Sequence, residues 1–116
     1  MSNRTTDSSM IELKKKIKSL TEVTTRPMFG YQCYLVNGKF FAGIGRREDK
    51  SKIIIRLSKD LQLKALLKET RLKIEPFRQG AKMGWIELDI SNIRIHEAFY
   101  WVKKGYEHAL NISKSA

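Results

Sequence analysis

The fold is decided by residues 26–44, whose sequence is RPMFGYQCYLVNGKFFAGI. Within them, two runs rich in aromatic and β-branched residues, Tyr31–Val36 and Lys39–Ile44, flank the dipeptide Asn37-Gly38. Asn-Gly is typical of a two-residue type I′ turn, because both central positions need positive φ and these residues adopt it at little steric cost. The stretch therefore predicts a β-hairpin of fixed register.

Hydrophobic periodicity predicts the other strands. Three consecutive isoleucines in Lys52–Leu57 favour a strand that is buried on both faces. Shorter strands are predicted at Lys73–Phe77, whose proline ends the strand or places it at an edge, and at Trp85–Leu88. Thr21–Arg26 is predicted to be a connector, and the charged segment Gly45–Ser51 an exposed loop.

Three amphipathic helices are predicted around these strands. The first is capped by Ser8 or Ser9 and has a basic outer face, and the second begins after Ser58 and ends near Glu69. In the third, Gly105 is interpreted as a point of close packing against the sheet. The apolar stripes are Met10, Leu13, Ile17 and Leu20; Leu63, Leu66 and Leu67; and Ile95, Ala98, Phe99, Val102, Tyr106 and Ala109.

The resulting element order is α-β(3)-α-β(2)-α. The hairpin-connected strands exclude a doubly wound parallel fold. We therefore expect an α+β protein, a two-layer α/β structure with a mostly antiparallel five-stranded sheet and helices packed on it. The 116 residues are too few for two cores, so a single domain is expected at 9–110, between a disordered N-terminal tail at 1–8 and a C-terminal tail at 111–116.

The composition limits the cellular environment and the kinds of partner that are expected for this protein. Hydrophobic residues make up 41% and charged residues 30%, as in soluble globular chains. No secretory signal or membrane span is visible, and one cysteine excludes an internal disulfide, so we expect a cytoplasmic protein without membrane contact. The net charge of +11 is compatible with nucleic-acid binding, or with lysines that only maintain solubility.

Basic residues and one tryptophan are the candidate contacts with a partner protein or a nucleic acid: Lys14, Lys15, Lys18, Arg46, Arg47, Arg78, Lys82, Trp101, Lys103 and Lys104. Arg56 is a separate candidate, because it interrupts an apolar strand. A half-buried guanidinium needs a carboxylate partner, for which Glu87 is the candidate, or an anionic ligand. The alternative is a side-chain stem that lies on the sheet with its charge in water.

No catalytic set is recognisable. Cys33 shares a strand face with Tyr31 and Leu35 and is expected to be an unreactive core residue. His96 and His108 lack the spacing of metal ligands, and a zinc site wants three or four convergent ligands. We therefore expect no catalytic residue, no metal and no cofactor, and a protein that is not an enzyme.

Four segments of the chain resemble the N-terminal domain of the TfoX (Sxy) family: Arg26–Gly30, Tyr34–Gly43, Ile55–Leu57 and Gly84–Leu88. The resemblance covers about residues 9–110 and implies the same element order, in a fold related to secretion-chaperone-like domains. The founding members of the family regulate natural competence together with a global transcription activator. They carry a second, helical domain that these 116 residues do not include.

The resemblance supplies no catalytic residues and implies a stand-alone TfoX N-terminal-like domain. We expect a non-enzymatic regulatory or adaptor protein that acts through protein–protein contacts, in transcription or competence regulation. Direct and largely non-specific nucleic-acid binding by the basic surface is the alternative. The sequence leaves open whether the protein forms a homodimer.

Overall fold

The computed structural model describes residues 7–28, 30–47, 50–68, 72–74, 83–90 and 93–115. They form α1 (Asp7–Lys18), β1 (Val23–Met28), β2 (Tyr31–Val36), β3 (Lys39–Arg47), β4 (Lys50–Arg56), α2 (Lys59–Lys68), β5 (Leu72–Ile74), β6 (Trp85–Asp89) and α3 (Ile95–Ser115). The strands pair in one antiparallel sheet of order β1-β2-β3-β4-β6-β5. The expected α+β class, with helices on a mostly antiparallel sheet, is confirmed.

The predicted hairpin forms between β2 and β3. Val36 pairs with Lys39, and the two residues between them have the positive φ that a type I′ turn needs, 51° at Asn37 and 76° at Gly38. The Asn37 side chain also donates a hydrogen bond from Nδ2 to Oγ of Ser113 in α3, at 3.0 Å. The turn is therefore joined to the last helix as well as to its own strands.

Substituting Asn37→Val is expected to destabilise the protein by about 1–2 kcal/mol, because a β-branched residue pays that cost in the left-handed region. The measurement is the free energy of unfolding in denaturant. The control is Ser113→Ala, which removes the same side-chain hydrogen bond and leaves the turn unchanged. Equal effects of the two substitutions would show that turn conformation is not the cause.

The sheet contains one strand more than the five expected. Val23–Met28, predicted in large part to be a connector, is the edge strand β1 and pairs along its whole length with β2. It is weakly apolar, contains no fully buried residue, and includes Pro27, which edge strands tolerate. A strand of this kind lacks the hydrophobic alternation by which strands are recognised in a sequence.

The strands on either side of the predicted charged loop are longer than expected. β3 continues to Arg47 and β4 begins at Lys50, so most of Gly45–Ser51 is paired strand and not loop. The third predicted strand lies between β3 and β6 as β4, and its three isoleucines are fully buried, which confirms its interior position. Burying each of these side chains stabilises the fold by roughly 1.5–3 kcal/mol.

Helix ends also differ from the expectation. α1 begins at Asp7, so Ser8 and Ser9, which were predicted to precede the helix as its cap, lie within its first turn. α3 continues through Ser115, so residues 111–115 are helical and not a separate tail. Among the described residues, no helix combines the length and the apolar character that crossing a membrane requires.

The two faces of the sheet carry separate apolar clusters. The larger one includes side chains from all three helices, which therefore share one face in a two-layer arrangement. The smaller one, on the other face, contains Tyr31, Cys33, Leu35, Phe40, Ile54 and Trp85. A bulge in β3 makes this division possible: Leu35 pairs with Phe40 but Tyr34 pairs with Ala42, so Phe41 is an extra residue that faces the helices.

Candidate interaction surfaces

The first candidate surface is the outer side of α1. Lys14, Lys15 and Lys18 are exposed and lie on successive turns together with Ile11, which is also exposed. A depression of about 460 Å³ is lined by Ile11, Lys14, Lys15, Lys18 and Ser19. The apolar side of α1 packs in the core, so the lysines necessarily point to solvent.

A second depression connects α1 to the far end of the β3–β4 hairpin. Its volume is about 320 Å³, and it is lined by Met10, Ile11, Lys14, Ile44, Gly45, Arg46 and Ser51. Lys14 and Arg46, which are distant in sequence, thus line one cleft. We call Lys14, Lys15, Lys18 and Arg46 the basic surface.

The predicted contact residues of α3 lie elsewhere. Trp101 is half-buried, with its ring edge-on to that of Tyr100 at a centroid distance of 5.0 Å. Lys104 Nζ lies 3.8 Å from Glu107 Oε1 and 5.4 Å from the Tyr100 ring centroid, whereas Lys103 is exposed. In the part of the chain that the structure describes, Trp101, Lys103 and Lys104 line neither depression of the basic surface.

Three other basic residues were predicted to contact a partner. Arg78, Lys82 and the side chain of Arg47 lie outside the described residues.

The outer side of α2 presents a feature that the sequence reasoning missed. Leu63 and Leu67, expected in the buried stripe, are 61% and 84% exposed, while Gln62 and Ala65 take the buried positions. Gln62 is held there because its Nε2 donates a hydrogen bond to the carbonyl of Trp85, at 3.0 Å. The helix is therefore rotated relative to the expected stripe, and two leucines one turn apart are left in solvent.

The face of the sheet away from the helices holds most of the buried charge. Lys52 of β4 is 8% exposed, and its Nζ lies 4.0 Å from Glu87 Oε1 and 3.7 Å from Asp89 Oδ2. The predicted pair of Arg56 with Glu87 does not form: within the described residues Glu87 pairs with Lys52, and Arg56 stands opposite Trp85. Buried pairs of this kind are costly to break, because one charge is then left without compensation.

Cys33 of β2 lies in the apolar cluster of this face and is fully buried, as expected. Its thiol donates to the carbonyls of Met28 and Tyr31, with sulfur–oxygen distances of 3.7 and 3.8 Å. Burial raises the pKa of the Cys33 thiol, although the charge of Arg26 acts in the opposite direction. The group is therefore kept as a protonated thiol, unlike an activated nucleophile.

The two histidines lie on α3, and they do not share a side of it. His96 is exposed and His108 is half-buried. No group of three or more His, Cys, Asp or Glu side chains that could hold a metal ion occurs within the described ranges.

His108 gives the folded protein a predictable response to acid. Partial burial, and then the nearby charge of Arg56, lower the pKa of His108 from its ordinary value of 6.5. The unfolded state therefore binds the proton more readily, so this stability is fully present above 6.5 and is lost as pH falls from there through the lowered pKa of the folded state.

We expect His108→Gln to reduce the loss of unfolding free energy between neutral pH and about pH 5. The measurement is a series of denaturant titrations across this range. His96→Gln, which changes the exposed histidine of the same helix, is the control. An unchanged pH profile in His108→Gln would contradict the assignment.

Comparison with known proteins identifies the fold. Neither known family models nor characterised proteins match the sequence. Among solved structures, Deinococcus radiodurans protein DR2400, which carries the domain DUF419, is similar with a TM-score of 0.64 and 7% identity, over 90% of this chain and 78% of that chain. A protein from Pseudomonas syringae is similar with a TM-score of 0.59 and 12% identity, over 86% of this chain and 95% of that chain. At such low identity, the chain shares the fold of these two proteins and the likeness extends no further.

Proposed function

We propose that this protein is a non-catalytic adaptor domain that acts through protein–protein contact, and that α2 is its docking element. The exposed pair Leu63 and Leu67 carries the proposal. Two large apolar side chains one turn apart on a helix surface form the kind of anchor that amphipathic partners use. The fold itself gives them no role, since the buried side of α2 is occupied by other residues.

Charge complementarity indicates the chemistry of the partner. Lys64 and Lys68 directly follow the two leucines in sequence, so a basic row runs beside the apolar one. An acidic, amphipathic segment of another protein would satisfy both rows. A second copy of this chain is disfavoured, because each copy carries a net charge of +11.

The proposal extends to a regulatory role in the cytoplasm, in transcription or competence control. The support is the resemblance of four segments, among them Arg26–Gly30 and Gly84–Leu88, to the TfoX N-terminal domain. The burial and raised pKa of Cys33 favour a binding role over nucleophilic chemistry at that residue.

The test is binding of a synthetic helical peptide with leucines on one face and glutamates beside them, followed by fluorescence anisotropy. We expect Leu63→Ser with Leu67→Ser to weaken binding by about tenfold or more, and Lys64→Glu with Lys68→Glu to weaken it as well. Ile11→Ser, which removes an exposed apolar side chain from α1, is the matched control and should bind as the parent does.

Three results would contradict the adaptor proposal. The leucine variant could bind like the Ile11→Ser control, which would show that α2 is not the docking element. A scrambled peptide of the same composition could bind equally well, which would reduce the interaction to charge alone. Sedimentation could show a dimer of the protein that the leucine variant abolishes, which would assign this face to a second copy.

The basic surface favours a second candidate function, direct contact with the phosphates of a nucleic acid. Lys14 and Arg46 line one cleft, and Lys15 and Lys18 extend the positive charge along α1. Phosphate contacts of this kind release counterions, so the binding constant falls steeply with salt.

A generic DNA duplex titrated from about 50 mM to about 200 mM salt tests this function. Lys14→Gln with Arg46→Gln is expected to reduce the slope of log binding constant against log salt by about 0.9 for each phosphate that the protein no longer neutralises. Lys64→Gln with Lys68→Gln makes the same charge change on α2 and should leave the slope nearly unchanged. Absence of binding at the lowest salt, or equal effects of the two double variants, would rule out the basic surface.

A further inference from the structure

Arg56 and Trp85 are neighbours on the face of the sheet opposite the three described helices. They stand directly opposite each other in the register of β4 and β6. Trp85 is only 9% exposed and packs on Phe40 with a ring centroid distance of 4.6 Å. Phe40 and Trp85 therefore form an apolar floor beside the Arg56 side chain.

Both residues keep a buried hydrogen-bond donor without an acceptor. Arg56 Nε and Trp85 Nε1 are shielded from solvent, and neither donates a hydrogen bond to any residue that the structure describes. Buried donors are nearly always paired in folded proteins, because an unpaired one keeps the full cost of its desolvation. Two such donors on adjacent residues point to a missing acceptor that both could share.

The carboxylates described on the same face form ion pairs with lysines and not with Arg56. Glu87 lies next to Lys52, and Asp89 lies next to both Lys52 and Lys50, with Nζ–Oδ2 distances of 3.7 and 3.9 Å. Within the described residues, the guanidinium of Arg56 has no ion-pair partner. A water molecule could accept a hydrogen bond there, but it would leave the positive charge uncompensated.

The charge of Arg56 acts on a neighbouring group, and the Arg56 side chain is partly accessible to solvent. Arg56 is half-buried, so one end of its side chain reaches solvent. Its charge contributes, after burial, to the lowered pKa of His108 on α3. A small anion could therefore approach from solvent along the guanidinium.

We propose that Arg56 and Trp85 form a binding site for a carboxylate group. The guanidinium presents two parallel N–H groups that match the two oxygens of a carboxylate, and the indole N–H supplies a third hydrogen bond. A carboxylate carries one negative charge, which balances the single positive charge of Arg56, whereas a phosphate dianion would exceed it. The carboxylate could belong to a small organic acid or to an acidic side chain of a bound peptide.

Thermal unfolding with added sodium acetate, at ionic strength matched with sodium chloride, tests the site. A ligand that binds only the folded state raises the unfolding temperature, by an amount that grows with the logarithm of its concentration relative to its dissociation constant. We expect acetate, or a tetrapeptide with blocked termini and one glutamate, to raise the unfolding temperature of the parent more than chloride does. A response to acetate identifies a free acid as sufficient, and a response to the tetrapeptide alone assigns the site to a peptide side chain.

Two variants connect the effect to the two donors. Arg56→Met removes the charge, and Trp85→Phe removes the indole N–H while keeping an aromatic ring. Because either substitution can change the stability by itself, the unfolding temperature of each variant in carboxylate is compared with that of the same variant in chloride. Each is expected to weaken carboxylate binding by about tenfold or more. Arg94→Met, which removes an exposed arginine just before α3, is the control and should respond like the parent.

The proposal is overturned if acetate and the tetrapeptide act no differently from chloride. It is also overturned if inorganic phosphate stabilises the protein and carboxylates do not, or if Arg56→Met and Trp85→Phe both respond to carboxylates as the parent does. Fluorescence gives a second measurement for the parent site: Trp101→Phe leaves Trp85 as the one tryptophan, and its emission should change saturably with the carboxylate.

Discussion

Replacing Gly84 with alanine is expected to destabilise the protein by about 3–5 kcal/mol. Gly84 has a φ of 89°, which costs an L-residue about 1–2 kcal/mol, and an added Cβ would lie 2.1 Å from the carbonyl oxygen of Leu57. That oxygen is backbone, so it cannot move away as a flexible side chain would. The expected loss is a large part of the 5–15 kcal/mol that holds a typical domain folded.

The same molecule contains a matched control for this substitution. Gly38 also has positive φ, 76°, but nothing lies within 4 Å of the position that its Cβ would take. Gly38→Ala should therefore show the conformational cost alone, about 1–2 kcal/mol. Both free energies come from denaturant unfolding, and equal losses in the two variants would show that the close approach at Gly84 is not real.

The close backbone contact between Gly84 and Leu57 positions Trp85 relative to Arg56. The carbonyl of Gly84 accepts a hydrogen bond from the amide of Leu57 at 3.0 Å, which holds the start of β6 against the end of β4. Trp85 follows directly and faces Arg56 across the two strands. A shift of the backbone at this point would therefore alter the proposed carboxylate site as well as the stability.

Much of the fold could be predicted because its strongest signals are local. Asn37-Gly38 specifies a turn through its own conformational preference, and the isoleucines of β4 specify an interior strand through burial on both faces. In α3 the stripe that contains Ala98, Val102 and Ala109 repeats with the helical period, and all three are fully buried. Each signal needs only its own segment to be interpreted.

What could not be predicted depends on partners that are distant in sequence. β1 is a strand because it pairs with the edge of β2, and none of its own residues is fully buried. α2 is rotated because Gln62 finds a hydrogen-bond acceptor at Trp85, which a hydrophobic stripe alone would never indicate. The same rotation exposes the leucines of the proposed docking element.

In the candidate surfaces, too, local features were predictable and features that depend on distant residues were not. The exposure of Lys14, Lys15 and Lys18 follows from the period of α1 and was predictable. Their proximity to Arg46 requires the packing of α1 beside the β3–β4 hairpin. The register of β4 and β6 places Glu87 opposite Ile54, with Lys52 and Arg56 two residues to either side. Glu87 pairs with Lys52, which also lies beside Asp89, and the sequence does not specify this choice.

Gly105→Val is expected to destabilise the protein by about 3 kcal/mol, because it forces α3 away from the sheet. The expected close packing at Gly105 is confirmed: an added Cβ would lie 2.8 Å from Ile55 Cγ2 and 3.0 Å from the carbonyl oxygens of Arg56 and Phe41. Two of these three atoms are backbone of the central strands. The helix, and not the sheet, must therefore move to accept a side chain.

The control is Lys103→Val, at an exposed position of the same helix. This substitution should reduce the free energy of unfolding only by the lower helix propensity of valine, about 0.5 kcal/mol. Movement of α3 should also break the hydrogen bond from Tyr106 Oη to the Thr21 carbonyl, 2.9 Å in the parent, which near-ultraviolet circular dichroism of the tyrosine would detect. Only tight packing of α3 on β3 and β4 makes position 105 more sensitive to valine than position 103. If Gly105→Val and Lys103→Val reduce the free energy of unfolding equally, that packing is looser than the distances around Gly105 indicate.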